Sequence, residues 1–312
     1  MKKITFTSML LFMSCFICLA TTHIVDSHYP RPAGVFATIQ LAYDAASIGD
    51  TILISPALGQ YDGIALTKRV HIVGTGWADP SGSVPHTKTS GFTFNAGSQG
   101  SSISGLEING MIQISTDSIT VKRNKLLYIY VGASSTNIVI VQNFIIANRQ
   151  MGYWYDGSII AIWENTEVFI SNNIIINTGN VNQNHGIYTS FPTNVIVCNN
   201  VLRAEESTIN IGMSGGNYSP HSVFNNIIVW GGGTSGVSTA FSVNNHNIGN
   251  STQFAAINNN QQNVDMSTVF VDATNYNYHL KEGSPAIGAG LDGTDCGIYG
   301  GPFPFVDNGR TW

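Results

Sequence analysis

The sequence predicts an all-β solenoid of stacked coils, on three observations: a short motif occurs five times, its apolar residues alternate, and a second apolar run follows each copy. The fullest copy spans 168–176 and reads V-F-I-S-N-N-I-I-I. Aligned on the last polar residue, the others are I-T-V-K-R-N ending at Asn124, I-V-I-V-Q-N at Asn143, V-I-V-C-N-N at Asn200 and H-S-V-F-N-N at Asn226. Three residues before each Asn stand Val121, Ile140, Ile170, Val197 and Val223. Two residues after it stand Leu126, Ile145, Ile175, Leu202 and Ile228. With 31 Asn in the chain, one or two such matches would mean little, but five that keep both aliphatic flanks define a repeat. Successive copies are 19, 30, 27 and 26 residues apart, so one unit carries insertions of variable length. Units of this size cannot bury an apolar face alone and must stack.

Within a copy, Val168 and Ile170 alternate with polar neighbours and Ile175 resumes after the break, which is strand periodicity. The following runs at 128–131, 159–162, 186–188 and 209–211 supply a second strand per coil, with the turn at the Asn. An Asn buried in such a turn leaves amide groups that need partners, and an Asn in the next coil supplies them. Asn143, Asn173, Asn200 and Asn226 are therefore expected to stack as an internal ladder. This arrangement resembles the single-stranded right-handed parallel β-helix of the pectate-lyase-like superfamily.

In chain order, 1–20 reads as a secretory signal peptide: Lys2 and Lys3, an apolar run, and a small residue, Ala20, before the expected cleavage. It is short for a membrane span. Ser14-Cys15 loosely resembles a lipoprotein site, but Phe12 and Met13 fit that pattern poorly. The expected location is outside the cytoplasm, secreted or at the cell surface. Without Lys2 and Lys3 the chain has 11 basic and 18 acidic residues, a formal charge of −7, and no basic cluster. That speaks against nucleic acid and anionic membranes as partners. Cys198 and Cys296 remain after the leader; two isolated cysteines make no disulfide framework, and both read as surface bystanders.

Residues 21–75 are expected to form an N-terminal cap and first coil. Thr38 to Ala46 is the one convincing helix, with Ile39, Ala42, Tyr43 and Ala46 on one face and Gly49 ending it. The run T-I-Q-x-A-x-x-A-A-x-x-G-D-T-I-x-I from Thr38 to Ile54 resembles the opening cap of secreted bacterial β-helix proteins, and within it Asp50 reads as a turn residue. Residues 76–102, rich in Gly, Ser, Thr and Pro, read as a loop excursion, and 103–245 as the regular coils. Residues 246–312 read as an irregular last coil and a C-terminal cap, since the pattern dissolves into Asn and Gln from Asn244 to Gln262.

The resemblance implies cleavage of acidic polysaccharides. Lyases of this kind need a base and a cation or Ca²⁺ against the uronic carboxylate; hydrolases need a carboxylate pair. The polygalacturonase pattern of adjacent Asp-Asp, G-H-G and R-I-K is missing, and the nearest match is Asn184-His185-Gly186. No dense acidic cluster suggests Ca²⁺, and no cofactor is expected. What remains is positional. The segment after Asn143 is lengthened by 148–157, and equivalent points of later coils offer His185, Arg203, Glu205 and Glu206. Coils about 4.8 Å apart place these on one side. The expected glycan face is Arg149, Tyr153, Trp154, Tyr155 and Glu206. His185 is the candidate base, Arg203 or Arg149 the group facing a carboxylate, and Glu205 or Asp156 the acid. The reading is thus a monomeric, secreted polysaccharide-binding and potentially polysaccharide-cleaving solenoid. The alternative is a non-catalytic adhesin or structural spacer. An ice-binding array of regularly spaced Thr is absent.

Overall fold

The computed structural model describes residues 20–57, 59–77, 86–147, 158–164, 166–179, 185–190, 193–205, 210–214, 222–229, 243–250 and 258–307. These residues form a parallel solenoid whose coils have three faces. The first face is a ten-stranded sheet of Thr22–Val25, Thr51–Ile54, His71–Val73, Ser102–Ser104, Thr120–Lys122, Ile138–Val141, Thr166–Ser171, Thr193–Cys198, Ser222–Phe224 and Val243–Asn245, in that order. The long strands Glu107–Ile114 and Lys125–Val131 bend across the other two faces. Their first halves lead into a row of Phe144–Ala147, Ile174–Asn177, Val201–Ala204, Ile227–Val229 and Ile248–Gly249, the second face. The second half of Lys125–Val131 pairs onward with Ile160–Ile162, and then come His185–Ser190 and Asn210–Ser214, the third face.

The motif's aliphatics fill the lumen. Val121, Ile140, Ile170, Val197 and Val223 point in from the first face, and Leu126, Ile145, Ile175, Leu202 and Ile228 from the second; none is more than 1% exposed. Ile129, Ile160, Ile187 and Ile211 complete the same layers from the third face. Each such side chain contributes about 1.5–3 kcal/mol by leaving water.

Between the first and second faces the chain turns on two residues. The first takes a left-handed φ in the coils from Arg123 onward: Arg123 (55°), Gln142 (58°), Asn172 (56°), Asn199 (55°), Asn225 (58°), His246 (52°) and Asn259 (62°). Asn tolerates this region better than most residues, which accounts for the doubled Asn of the later coils. The second is the ladder Asn. The backbone N–H of Asn173 donates to Asn200 Oδ1 at 2.9 Å, and its Nδ2 donates to Asn200 Oδ1 at 3.0 Å, Ser171 O at 3.0 Å and Ile140 O at 2.8 Å. Asn143, Asn200 and Asn226 repeat that geometry, so the four expected rungs stack as one row. The row is longer than the four expected rungs. Asn124 precedes it, and Asn247 and Asn260 continue it through the stretch expected to be irregular. The pattern is obscured there because Asn244, not an aliphatic, stands three before Asn247; its side-chain oxygen accepts from Asn247 and Asn260.

The helix runs Ile39–Ala45, capped by the Thr38 side chain, and buries Ile39, Ala42, Tyr43 and the following Ala46 beside the strands Thr22–Val25 and Thr51–Ile54. The Tyr43 hydroxyl accepts the N–H groups of Thr67 and Lys68 at 2.6 and 2.9 Å, which ties the helix to the next coil. Asp50 is a turn residue, as expected, and is buried. Within the stretch read as an excursion, Lys88–Thr89 and Phe92–Phe94 pair in parallel with Glu107–Ile114, so coil structure starts well before residue 103. Among the described residues, no helix is long and apolar enough to cross a membrane.

Residues 264–307 run back along the flank of the solenoid. Val269, Phe270, Tyr278, Ala286, Cys296, Ile298 and Phe305 pack on the outward side chains Phe144, Ile174, Ile176, Val201, Ile227 and Ile248, forming a second core outside the lumen. The left-handed turn residues hold this segment. Asn225 Oδ1 accepts Leu291 N–H at 2.8 Å, Asn199 Nδ2 donates to Asp295 O at 3.2 Å, and Asn172 Nδ2 donates to Ile298 O and Gly300 O at 2.8 and 2.6 Å. Gln142 Nε2 reaches Pro304 O. The cysteines are thereby corrected: neither lies at the surface. Cys198 does face outward from its strand, but it is 2% exposed and its thiol donates to Ser171 Oγ at 3.4 Å. Cys296 is 1% exposed and donates to His246 O, and the two are not bonded to each other.

Candidate functional site

The chain leaves the second face at Ala147, Asn177 and Ala204, which are paired in register. It enters the third at Ile160, Ile187 and Ile211, also in register. The roots of the segments expected to carry function therefore form one column along one corner, a coil spacing of about 4.8 Å apart. Arg149, Tyr153, Trp154, Tyr155, Asp156 and Glu206 lie outside the described residues. His185, Arg203 and Glu205 flank the corner.

His185 opens the strand His185–Ser190, and its ring tilts against Tyr188 with centroids 5.1 Å apart. It lies over Gly212 of the next coil, where a Cβ would come within 2.4 Å of Nδ1, so only glycine leaves room for the imidazole. Nδ1 is buried with no hydrogen-bond partner among the described residues. Burial, which disfavours the imidazolium, holds the His185 pKa below the usual histidine value. A neutral imidazole with a free nitrogen is the state a general base requires.

Arg203 and Glu205 are joined, but by the C-terminal segment. The Arg203 guanidinium donates to Ala273 O and sits 5.9 Å from the centre of the Tyr276 ring. The Tyr276 hydroxyl donates to Glu205 Oε1 at 3.4 Å. Tyr276 in turn meets Phe144 edge-on at 5.6 Å, and Phe144 meets Trp77 at 5.3 Å. No hydrogen bond or ion pair links His185 to Arg203 or Glu205 among the described residues. Arg203 thus anchors the flanking segment as well as lying near the corner.

Outward positions of the third face carry rings that the motif reading did not single out. Tyr130, Ala161, Tyr188 and Gly212 occupy one outward row in successive coils. Trp163 tilts against Tyr130 at 6.3 Å. The signal was in the strand 128–131: if Ile129 and Val131 face the lumen, Tyr128 and Tyr130 face out. Among the described residues, no group of three His, Cys, Asp or Glu is placed to hold a metal ion. Compared with known protein families, curated proteins and solved structures, the chain matches none.

Proposed function

We propose that this protein is an exported, right-handed, pectate-lyase-like β-helix that binds polysaccharide along the corner between its second and third faces. The observation that carries the reading is the column of segment roots at Ala147, Asn177 and Ala204 beside the outward-facing Tyr130 with Trp163 tilted against it. Flat rings suit sugar faces, and neighbouring amides and charges suit hydroxyls and carboxylates. The 148–157 insertion adds Arg149, Tyr153, Trp154, Tyr155 and Asp156 to that corner by sequence, and Glu206 follows Glu205 there. Inserted segments are where a solenoid can vary without disturbing its lumen. A glycan array on the exported protein tests this. Trp154→Ala and Tyr130→Ala should each weaken binding to the best ligand at least tenfold while the melting temperature holds. Unchanged affinity in both would replace the reading with a passive surface solenoid.

A second reading, cleavage of the bound glycan, is favoured by the neutral, half-buried His185. His185 would take the proton α to a uronic carboxylate, Arg149 or Arg203 would neutralise that carboxylate, and Asp156 or Glu205 would protonate the leaving oxygen. Release of unsaturated oligosaccharides from acidic polysaccharides, lost in His185→Gln, is the expected result; no release from any acidic glycan that binds removes this second reading.

A further inference from the structure

Asp50 is a buried carboxylate at the start of the solenoid, 3% exposed. Its Oδ1 accepts the backbone N–H of Thr21 at 2.7 Å. Its Oδ2 accepts the Ser47 N–H at 2.7 Å and lies 2.8 Å from His23 Nε2. Among the described residues His23 is the one ion-pair partner of Asp50, and an imidazole carries charge only when protonated. A buried carboxylate without a permanent counter-charge is costly, and proteins rarely leave one so. The nitrogen at 2.7 Å is the place where a permanent charge would arise if the chain began at Thr21.

We propose that the α-ammonium released by the expected cleavage at the Ala20–Thr21 bond is the counter-charge of Asp50. The proposal rests on the exported reading of the chain and not on glycan binding. In the hydrolysis, water adds its oxygen to the Ala20 carbonyl and the C–N bond breaks. Ala20 leaves as a carboxylate, and the Thr21 nitrogen takes up protons to become an ammonium. Small residues stand one and three positions before the bond, Ala20 and Cys18, as a signal peptidase requires. Both Ala20 and Thr21 are exposed and precede the first strand, Thr22–Val25. Thr22–Val25 pairs with Thr51–Ile54, which directly follows Asp50, so the new terminus stays beside the carboxylate. An amide donor becomes a charge-assisted donor at the same distance. Cleavage at any other bond, or lipidation at Cys15, leaves Thr21 an ordinary amide.

The test is to express the full chain in an exporting bacterium and determine the N-terminus of the exported protein by sequencing and intact mass. A chain beginning at Thr21 is expected. Brief, mild periodate then cleaves the 1,2-amino alcohol of an N-terminal Ser or Thr, converting Thr21 to a glyoxylyl aldehyde and removing the ammonium. The oxidised parent should melt about 3 °C lower or more, while oxidation should leave Asp50→Asn unchanged. If Asp50→Asn does not fold, the periodate shift in the parent still decides the matter, with Ser47→Ala as the oxidised control expected to shift like the parent. An exported protein that starts elsewhere, or a melting temperature indifferent to periodate, overturns the proposal and leaves the exported reading standing. A chain that is not exported overturns both.

Discussion

At the scale of single residues, a coil of this protein turns on two adjacent side chains with opposite duties. Asn173 faces in and donates along the axis, while Asn172 takes the left-handed φ of 56° and donates outward to Ile298 O and Gly300 O. Asn173→Ala strands buried groups of both neighbouring rungs and should cost about 1–3 kcal/mol, measured by urea unfolding. Asn172→Gly keeps the backbone conformation but loses the outward bonds, so it should loosen the C-terminal segment while sparing the lumen. The thiols offer a second check at this scale. Burial pushes the Cys198 pKa up to about 11 and the Cys296 pKa up to about 12. Neither should react with a thiol reagent at pH 8 in the folded protein, and both should react in denaturant. His185 gives a pH signature. Its folded pKa is depressed by burial, so below about pH 6.5 the unfolded chain binds more protons than the folded one. Stability should therefore fall as pH drops through that range, and less so in His185→Gln.

At the scale of elements, the second face changes character along the axis. Its outward positions are Glu107 and Lys125 in early coils, ion-paired at 3.3 Å, and Phe144, Ile174, Val201, Ile227 and Ile248 in later ones. The change coincides with the coils that residues 264–307 cover. An uninterrupted apolar run such as Ile174-Ile175-Ile176 marks a strand buried on both sides. That run was visible in the sequence, but the alternation at Val168 and Ile170 drew the reading toward one buried face and left the tail as a mere end-piece. Deleting residues 264–312 should expose this outer core, giving strong hydrophobic-dye binding and aggregation. Deleting Thr38 to Gly49 removes the apolar cover of Ile39, Ala42 and Tyr43 and should aggregate as well; a soluble, cooperatively folding deletion would make the helix dispensable.

At the scale of the whole molecule, what was legible was whatever repeats. The lumen residues, the ladder from Asn143 to Asn226 and the opening helix follow from local pattern. The last rungs at Asn247 and Asn260 did not, because the aliphatic flanks are broken there: Asn244 stands three before Asn247, Gly249 two after it and Gln262 two after Asn260, and the side-chain network through Asn244 that compensates is long-range. The candidate site was legible only as a corner, since register fixes where segments leave the coils and leaves their side chains unspecified. The flank segment makes the molecule more than a sum of coils. A bare solenoid is a chain of nearest-neighbour contacts and frays from its ends. Here one segment is bonded to the turns of four coils, at Asn225, Asn199, Asn172 and Gln142, so it couples coils that do not touch each other. Amide hydrogen exchange should show those four coils opening as one unit in the parent. In Asn172→Gly with Asn199→Gly, which keeps the lumen and both backbone turns, protection should become graded, lowest near Ile228 and rising toward Ile140. Equal protection across the four coils in that double variant would show that the ladder alone couples them.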